Sequence, residues 1–213
     1  MQHDHRLAYK PWLWVVLFCV LFFLLLVIAI RQPGVQALDL RLVQILDPLR
    51  APGAVAFFSK VTDLGSSRVL INIMILFIVY FLFRKHFLSA ILLPIAFLAE
   101  RPMNELLKSW VMRERPPFHH LVHARGYSFP SGHAMNAATV FGLLILLVVP
   151  LIKSKGLRIA WAVLGMAMIL LIGFSRPFLR VHYFTDILAG YCAGGFLVGI
   201  SAVVLIFVYN RKR

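Results

Sequence analysis

Charged residues are scarce in this sequence, and acidic residues are the scarcest of them. Only 14% of its 213 residues are charged, 8 of them acidic and 22 basic, while 61% are hydrophobic. A soluble globule of this length could not bury so much apolar surface, so a soluble fold is excluded. The net charge of +14 would suggest nucleic-acid binding in a soluble protein. Here the basic residues form short clusters between apolar runs, as in the loops of a polytopic membrane protein.

Cysteine is also scarce. Cys19 and Cys192 both fall inside apolar runs, where cysteine behaves as a small apolar side chain. We therefore expect neither a disulfide framework nor a cysteine-based metal site. The length is typical of one domain and no internal repeat is visible, so residues 1–213 are predicted to form a single domain.

Six apolar segments are each near the length that crosses about 30 Å of hydrocarbon as a helix. They are Trp12–Ile30, Ser67–Phe83, Phe87–Leu107, His133–Ile152, Leu157–Phe174 and Ile187–Tyr209. The first exceeds the apolar region of a cleavable signal and lacks a small-residue cleavage site, so we expect it to be retained. The third is interrupted by Glu100-Arg101, and we expect neighbouring helices to shield it beyond that point. The predicted fold class is all-α, a polytopic membrane protein with six transmembrane helices.

Basic residues in the short loops predict how these spans are oriented. Arg6 and Lys10, Arg84-Lys85, Lys153–Arg158 and Arg211–Arg213 all fall on one side. The positive-inside rule makes that side cytoplasmic, so both termini are expected in the cytoplasm. Three segments face the opposite side: 31–66, 108–132 and 175–186.

The first outer segment contains a candidate amphipathic helix over residues 35–47. Its apolar stripe consists of Val35, Leu38, Leu42, Ile45 and Leu46. Asp39 lies at the edge of the stripe and weakens it. Pro33-Gly34 precede the helix and Pro48 ends it. The pattern fits a helix in the membrane interface as well as a helix packed on the protein's own loops.

Polar residues on the outer face fall at helix ends that are expected to converge. Lys108 and Arg115 lie seven residues apart, which is two helical turns, and Arg176 closes the fifth span. Ser131-Gly132 precede the fourth span, where a helix N-terminus offers N–H donors and a glycine permits close backbone approach. A phosphate fits this number of charges and donors.

His182 and Asp186 are four residues apart, which is one turn of a helix. On a shared helix the carboxylate can hold one imidazole N–H, and the other ring nitrogen is then free to act as a base or a nucleophile. This geometry requires the sixth helix to begin by about Val181. Taken alone, Asp186 is instead a helix cap and His133 a hydrogen-bonded interfacial histidine.

Three motifs in this sequence resemble a known signature. Lys108-x6-Arg115-Pro116, Pro130-Ser131-Gly132-His133 and Ser175-Arg176-x5-His182-x3-Asp186 are similar to that of the type-2 phosphatidic acid phosphatase superfamily, the lipid phosphate phosphatases. The match is complete at every signature position and covers residues 108–186. Thr62–Ser66 also resembles a segment common in bacterial members.

The resemblance implies a role for each of these residues. His182 is the expected nucleophile, which forms a phosphohistidine, and Asp186 orients it. His133 is the expected general acid and then the general base. The phosphate oxygens are expected to be held by Lys108, Arg115, Ser131, Gly132 and Arg176. The family needs no metal, so no metal and no cofactor are expected.

The function expected from this resemblance is metal-independent hydrolysis of a lipid phosphate at the outer face of a bacterial cytoplasmic (inner) membrane. Phosphatidylglycerophosphate is the first candidate substrate, undecaprenyl pyrophosphate the second, and phosphatidic acid and diacylglycerol pyrophosphate remain possible. The substrate comes from the bilayer, and no nucleic acid or obligate protein partner is inferred. One alternative is a phosphotransferase that uses the same phosphohistidine. The other is a non-catalytic membrane protein that binds or transports anions.

Several further polar residues have two interpretations each. His119, His120 and His123 favour a solvated loop or a headgroup contact over a metal site, because no cysteine or carboxylate lies nearby in the loop. Arg113, Arg125 and Arg180 are interpreted as surface charge or as part of a patch for anionic headgroups, not as catalytic residues. Arg101, Asn104, Glu105 and Lys108 are interpreted as an ion-pair network, or else as support that positions Lys108.

Overall fold

The part of the chain that the structure describes folds mainly into helices. A computed structural model describes residues 8–211, and no β-strand occurs within that range. Its α-helices are α1 (Lys10–Ala29), α2 (Pro33–Ile45), α3 (Pro52–Asp63), α4 (Ser67–Phe83), α5 (Phe87–Val111), α6 (Gly132–Val148), α7 (Lys155–Phe178) and α8 (Phe184–Arg211). Short 3₁₀ turns follow α2 at Asp47–Leu49 and α6 at Val149–Leu151. The predicted all-α class is confirmed.

Among the described residues, five helical segments are long and apolar enough to cross a membrane, namely α1, α5, α7, α8 and α6 with its 3₁₀ extension. A sixth candidate is the pair α3 and α4, which meet at an angle of 50°. Each predicted apolar segment lies largely within one of these helices. The first helix of this bent pair, α3, was not predicted from the sequence. The basic residues Arg6, Lys212 and Arg213, which were used to predict the orientation, lie outside the described residues.

The most buried span is α6, which packs against α5, α7 and α8. Two glycines of α8 allow its backbone to approach α6. A Cβ at Gly190 would lie 2.7 Å from the Ser131 carbonyl oxygen, and one at Gly194 would lie 2.7 Å from that of Met135. No larger residue fits at those distances. The Ser131 N–H also donates to the Asp186 carbonyl at 3.0 Å, so the first residues of α6 and α8 are held side by side.

The amphipathic helix predicted over residues 35–47 is present as α2, but its apolar stripe does not form a single face against the protein. Leu38 and Ile45 are 54% and 67% exposed, whereas Asp39 and Val43 are 2% and 0% exposed. Asp39 therefore lies within the buried face and not at its edge. The physical reason is that Asp39 has charged and polar partners inside the protein, which a pattern of apolar residues cannot reveal. This face packs on α8, while Leu38 and Ile45 point away from the protein.

Arg50 ties the outer segment to the end of α7. Its Nε donates to the Phe178 carbonyl at 2.6 Å, and its Nη2 donates to the carbonyls of Pro177 at 3.1 Å and Val43 at 2.9 Å. Its guanidinium also pairs with Asp47. Burial, followed by the nearby charge of Arg180, lowers the pKa of Arg50 to about 10. These bonds satisfy carbonyls that the last turn of a helix leaves free. They hold the end of α7, which contains Arg176, against α2.

Candidate active site

The residues singled out in the three motifs come together at one end of the helices. Lys108 lies in the last turn of α5, His133 in the first turn of α6 and Arg176 in the last turn of α7. His182 lies in the turn between α7 and α8, and Arg115 lies in the loop after α5. His133 is within electrostatic range of the other four. Three helices and two connecting segments thus supply three cations and two imidazoles to one site.

The predicted contact between His182 and Asp186 is present, but not for the predicted reason. The His182 Nδ1 atom lies 3.2 Å from Asp186 Oδ2, although α8 begins only at Phe184. The expectation that this helix starts by Val181 is therefore wrong. Asp186 is the third residue of α8, and its Oδ2 accepts the Tyr183 N–H at 2.9 Å, as an acidic residue does in a capping box. The same carboxylate thus caps the helix and holds the imidazole.

The surroundings of His182 keep its imidazole neutral. The side chain is 2% exposed, and burial, followed by the charges of Arg176, Arg115 and Lys108, lowers the pKa of His182 well below its usual range. Arg115 Nη1 lies 3.2 Å from His182 Nε2. Because a guanidinium can only donate, Nε2 must accept, so the ring proton sits on Nδ1 and faces Asp186. Nε2 is therefore unprotonated, and its lone pair, the one that a nucleophile needs, accepts a hydrogen bond from Arg115 in this structure.

Arg115 also donates hydrogen bonds to four backbone carbonyls. Its guanidinium donates to the Val181 carbonyl at 2.6 Å, to the Gly126 and Arg125 carbonyls at 2.9 Å each, and to the Tyr127 carbonyl at 3.3 Å. Burial lowers the pKa of Arg115, but a guanidinium stays charged at any physiological pH. One side chain thus joins the loop after α5 to the turn that carries His182.

Arg176 is buried with one donor unused. It is 4% exposed, and its Nη1 donates to Thr62 Oγ1 of α3 at 2.7 Å. Its Nε has no hydrogen-bond partner among residues 8–211. A buried charged donor without a protein partner is uncommon, and a bound ion or water is one way to satisfy it. This donor and the cations around it make an anion the chemically suitable occupant.

The turn between α3 and α4 lies behind His133. A Cβ at Gly65 would be 2.5 Å from a side-chain atom of Ile172 and 3.3 Å from Cδ2 of His133. The Gly65 carbonyl accepts from Asn136 Nδ2 at 3.3 Å. This turn is the Thr62–Ser66 segment noted in the sequence, and it contacts both the Arg176 guanidinium and the His133 ring.

The Pro130–Gly132 turn begins α6 and packs on α5. The Ser131 Oγ accepts the Ala134 N–H at 3.4 Å as the N-cap, which leaves its hydroxyl proton free to donate. Asn104 Nδ2 lies 3.5 Å from the Pro130 carbonyl, and a Cβ at Gly132 would lie 3.2 Å from Asn104 Oδ1. Asn104 thus supports this turn.

The ion-pair network predicted on α5 is present only in part. Arg101 Nε lies 3.1 Å from Glu105 Oε1, and these side chains are 80% and 66% exposed. Asn104, by contrast, is buried and faces the Pro130–Gly132 turn. The exposed pair is therefore a surface ion pair, separate from the support that α5 gives to the site.

Arg113 is a buried cation that was not predicted from the sequence. Arg113 was interpreted as surface or headgroup-patch charge, yet its side chain is 11% exposed and lies between two carboxylates. Its Nη1 is 2.7 Å from Asp186 Oδ1, and its Nη2 is 2.8 Å from Asp39 Oδ2. The signal in the sequence was Asp39, an acidic residue on an otherwise apolar helix face that requires a buried partner.

The other non-signature residues lie away from this cluster. Arg125 is exposed, and Arg180 pairs with Asp47 at 2.7 Å. His119, His120 and His123 lie in the loop before α6, where a ring nitrogen of His120 lies 3.2 Å from the Pro116 carbonyl oxygen. Within residues 8–211 no group of three His, Cys, Asp or Glu side chains is arranged to hold a metal ion.

Comparison with known proteins agrees with this geometry. The PAP2 superfamily matches residues 85–212, which include every motif described above. The chain therefore belongs to the PAP2 superfamily, and it is a membrane phosphatase of that family.

Individual relatives make the likeness more specific. The chain is 34% identical over 206 residues to phosphatidylglycerophosphatase B of Bacillus subtilis (strain 168), and the match covers 96% of both chains. Its fold is similar to the crystal structure of the transmembrane PAP2 type phosphatidylglycerolphosphate phosphatase from Bacillus subtilis, with a TM-score of 0.82 and 31% identity over 92% of this chain and 96% of that one. It is also similar to Aquifex aeolicus LpxE, with a TM-score of 0.61 and 26% identity over 81% of this chain and 96% of that one.

Proposed function

We propose that this protein hydrolyses phosphatidylglycerophosphate to phosphatidylglycerol and inorganic phosphate. The observation that carries the proposal is the 34% identity to phosphatidylglycerophosphatase B over 96% of both chains, together with a complete signature whose residues meet at one site. The expected chemistry has two steps, and both use His182.

In the first step, Nε2 of His182 attacks the phosphorus atom. The N–P bond forms as the bond from phosphorus to the lipid oxygen breaks, and His133 gives its proton to the departing oxygen. Asp186, 3.2 Å from Nδ1, stabilises the positive charge that develops on the imidazole ring. The charges of Lys108, Arg115 and Arg176 stabilise the phosphoryl oxygens in the transition state. The Ser131 hydroxyl and the Gly132 N–H add neutral donors at the start of α6.

In the second step, water attacks the phosphohistidine. His133, now neutral, takes a proton from this water as the O–P bond forms and the N–P bond breaks. Inorganic phosphate leaves, and His182 returns to its neutral form with its proton on Nδ1. Each group thereby recovers its starting protonation state.

An apolar groove between α1, α5 and α8 supports a lipid substrate. It has a volume of about 210 Å³. Its lining residues are Cys19, Val20, Phe23, Leu24, Met103, Leu107, Trp110, Cys192, Ala193 and Phe196. Leu107 adjoins Lys108 in the last two turns of α5, so a phosphate held by Lys108 lies near the end of the groove. An acyl chain bound there would direct its headgroup to the cations.

We further infer that the site faces the outside of a bacterial cytoplasmic membrane. The basic loops at Arg84-Lys85 and Lys153–Arg158 lie at the helix ends opposite Lys108, Arg176 and His182. The positive-inside rule assigns those loops, and with them both termini, to the cytoplasm.

The test is phosphate release by the purified protein in detergent with EDTA present. Phosphatidylglycerophosphate, undecaprenyl pyrophosphate and phosphatidic acid are compared, with His182→Ala as the control. We expect the highest kcat/KM for phosphatidylglycerophosphate, no release by His182→Ala, and acid-labile ³²P on the wild-type protein after a rapid quench.

Other results would overturn parts of this proposal. Higher kcat/KM for undecaprenyl pyrophosphate would reassign the substrate, and full activity of His182→Ala would refute the phosphohistidine. Loss of activity in EDTA that a divalent cation restores would refute the metal-independent mechanism. Phosphoryl transfer to an added lipid alcohol in place of release would identify a phosphotransferase.

A further inference from the structure

A buried chain of charges connects the outer helix α2 to His182. Arg113 lies between two carboxylates, with its Nη1 2.7 Å from Asp186 Oδ1 and its Nη2 2.8 Å from Asp39 Oδ2. The two carboxylate side chains are 0% and 2% exposed. Isolated charges at such depth are strongly unfavourable, so each of the three groups needs the others as partners in ion pairs and hydrogen bonds.

Further contacts fix the orientation of the Arg113 guanidinium. It lies over the Tyr183 ring at 4.0 Å from the centroid, within the range of a cation–π interaction. Its Nη1 also donates to Thr185 Oγ1 at 2.7 Å. The Thr185 hydroxyl in turn donates to Asp39 Oδ2 at 2.5 Å, and the Thr185 N–H donates to Asp39 Oδ1 at 3.3 Å. Asp39 therefore holds both Arg113 and the first turn of α8.

The two carboxylate oxygens of Asp186 have different hydrogen-bond partners. Oδ1 faces Arg113, while Oδ2 accepts the Tyr183 N–H at 2.9 Å and lies 3.2 Å from His182 Nδ1. The bond from Arg113 fixes the carboxylate plane, so that Oδ2 stays directed at the imidazole. Neither Arg113 nor Asp39 is hydrogen-bonded to His182.

We propose that Arg113 and Asp39 are positioning residues for the hydrolysis, which hold the Asp186 carboxylate so that Nε2 of His182 is presented to phosphorus. The outer helix α2 is then a working part of the active site and not only an amphipathic cover. This inference rests on the proposed function, because it assigns the two residues to the His182 reaction.

The role of Asp39 follows from charge balance. With Asp39 present, the single positive charge of Arg113 is shared between two carboxylates. In Asp39→Asn that charge acts on Asp186 alone, which weakens the stabilisation that Asp186 gives to the imidazolium formed during attack. Substrate contacts are unchanged, so the loss falls on kcat and not on KM.

The test measures kcat, KM and the melting temperature in detergent for Asp39→Asn, Arg113→Gln and Arg113→Lys. We expect kcat to fall about 10- to 100-fold in Asp39→Asn and Arg113→Gln, the range expected when one charge-assisted hydrogen bond is lost. KM should change less than about threefold. Arg113→Lys retains the charge and should recover part of the kcat lost in Arg113→Gln.

Asp47→Asn is the matched control. Asp47 is a carboxylate of the same outer segment, and it pairs with Arg50 and Arg180 without contacting Asp186. Its substitution should lower the melting temperature and leave kcat within about twofold of wild type, because Asp47 is 45% exposed and neither of its partners is hydrogen-bonded to Asp186 or His182.

The outcomes separate this inference from the proposed function. If wild type releases no phosphate from any of the three lipids, the proposed function fails. If wild type is active and His182→Ala inactive, but Asp39→Asn and Arg113→Gln keep wild-type kcat, the positioning role alone is refuted. The same holds if Asp39→Asn and Asp47→Asn lose kcat equally, since both effects would then follow from general destabilisation. If either Arg113 variant is too unstable to purify, Asp39→Asn against Asp47→Asn decides the question.

Discussion

Replacing Arg176 by lysine tests whether the geometry of this cation matters beyond its charge. Arg176 is 4% exposed, its Nη1 is bound to Thr62 Oγ1 at 2.7 Å, and its Nε has no partner among the described residues. A guanidinium held in this way can present its remaining donors to a phosphate as a fixed fork. Lysine keeps the positive charge but offers a single ammonium on a flexible stem.

The expected loss follows from the number of bonds removed. Arg176→Lys forfeits at least one charge-assisted hydrogen bond to the phosphoryl group, worth about 1.5–3 kcal/mol. At about 1.4 kcal/mol for each factor of ten, kcat/KM should fall about 10- to 150-fold. Thr62→Val leaves the arginine in place and removes only the bond that orients it, so a smaller loss, within about tenfold, is expected.

The assay is the initial rate of phosphate release from phosphatidylglycerophosphate in detergent, with kcat and KM measured separately. Thr62→Ser is the matched control for Thr62→Val, because it keeps the hydroxyl that accepts from Arg176, and it should retain more activity. Wild-type kcat/KM in Arg176→Lys would show that only net charge acts at this position. Equal activities of Thr62→Val and Thr62→Ser would show that the bond from α3 does not orient Arg176.

Two further predictions concern lipid access and pH. Val20→Trp should fill part of the groove between α1, α5 and α8 and raise KM about tenfold for a long-chain lipid phosphate, as loss of contact with about two methylene groups would. The KM for a water-soluble short-chain substrate should not change, and Leu21→Trp, at a neighbouring residue that does not line the groove, should leave both KM values unchanged. Equal effects of the two variants on both substrates would refute a chain-binding groove. Burial lowers the pKa of His182, so below about pH 6.5 the unfolded chain binds a proton at His182 that the folded protein does not. The melting temperature of wild type should therefore fall between pH 7.5 and pH 5 by more than that of His182→Asn. Parallel melting-temperature profiles of the two proteins would contradict a neutral buried imidazole.

The long apolar runs made most of the fold predictable from sequence. A run of about 20 apolar residues has few alternatives to a membrane helix, because the backbone must satisfy its own hydrogen bonds there. The helix α3 was missed because it combines with α4 across a bend of 50°, and its Pro52–Asp63 segment carries no long apolar run. In this bent pair α3 packs against α7, a contact distant in sequence that a local pattern does not show.

The sequence predicted which residues come together in the candidate site where a short motif puts them at the end of a helix. His133 and Arg176 each lie within one turn of a helix end, and short-range spacing is enough to bring such residues to the same side of the membrane. The start of α8 was placed too early because the spacing of His182 and Asp186 was interpreted as a helical turn. In the structure Asp186 reaches back to the Tyr183 N–H as a cap, and this bond brings the carboxylate to the imidazole without a continuous helix.

Residues that position the cluster could not be predicted in this way, because their partners are distant in sequence. Asp39 meets Thr185 and Arg113, and Thr62 meets Arg176 across 114 positions. A buried carboxylate in α2 or a buried hydroxyl in α3 has no local pattern that names its partner. Such a residue can only be recognised as one that is costly to bury alone. Asp39, at the edge of an apolar stripe, is such a residue, and its partners became visible only in the structure.

The division between motif residues and their supports bears on substrate choice. Every cation of the signature is suited to a phosphoryl group, which all candidate lipids share, so these residues cannot discriminate among them. Discrimination requires contacts that differ between substrates, and such contacts lie beyond the phosphate. The apolar groove beside α5 and the outer segment that carries α2 are the parts of the described chain next to the site that could meet the remainder of a lipid. Substitutions there should change the ranking of substrates, whereas substitutions at Lys108, Arg115 or Arg176 should lower activity toward all of them alike.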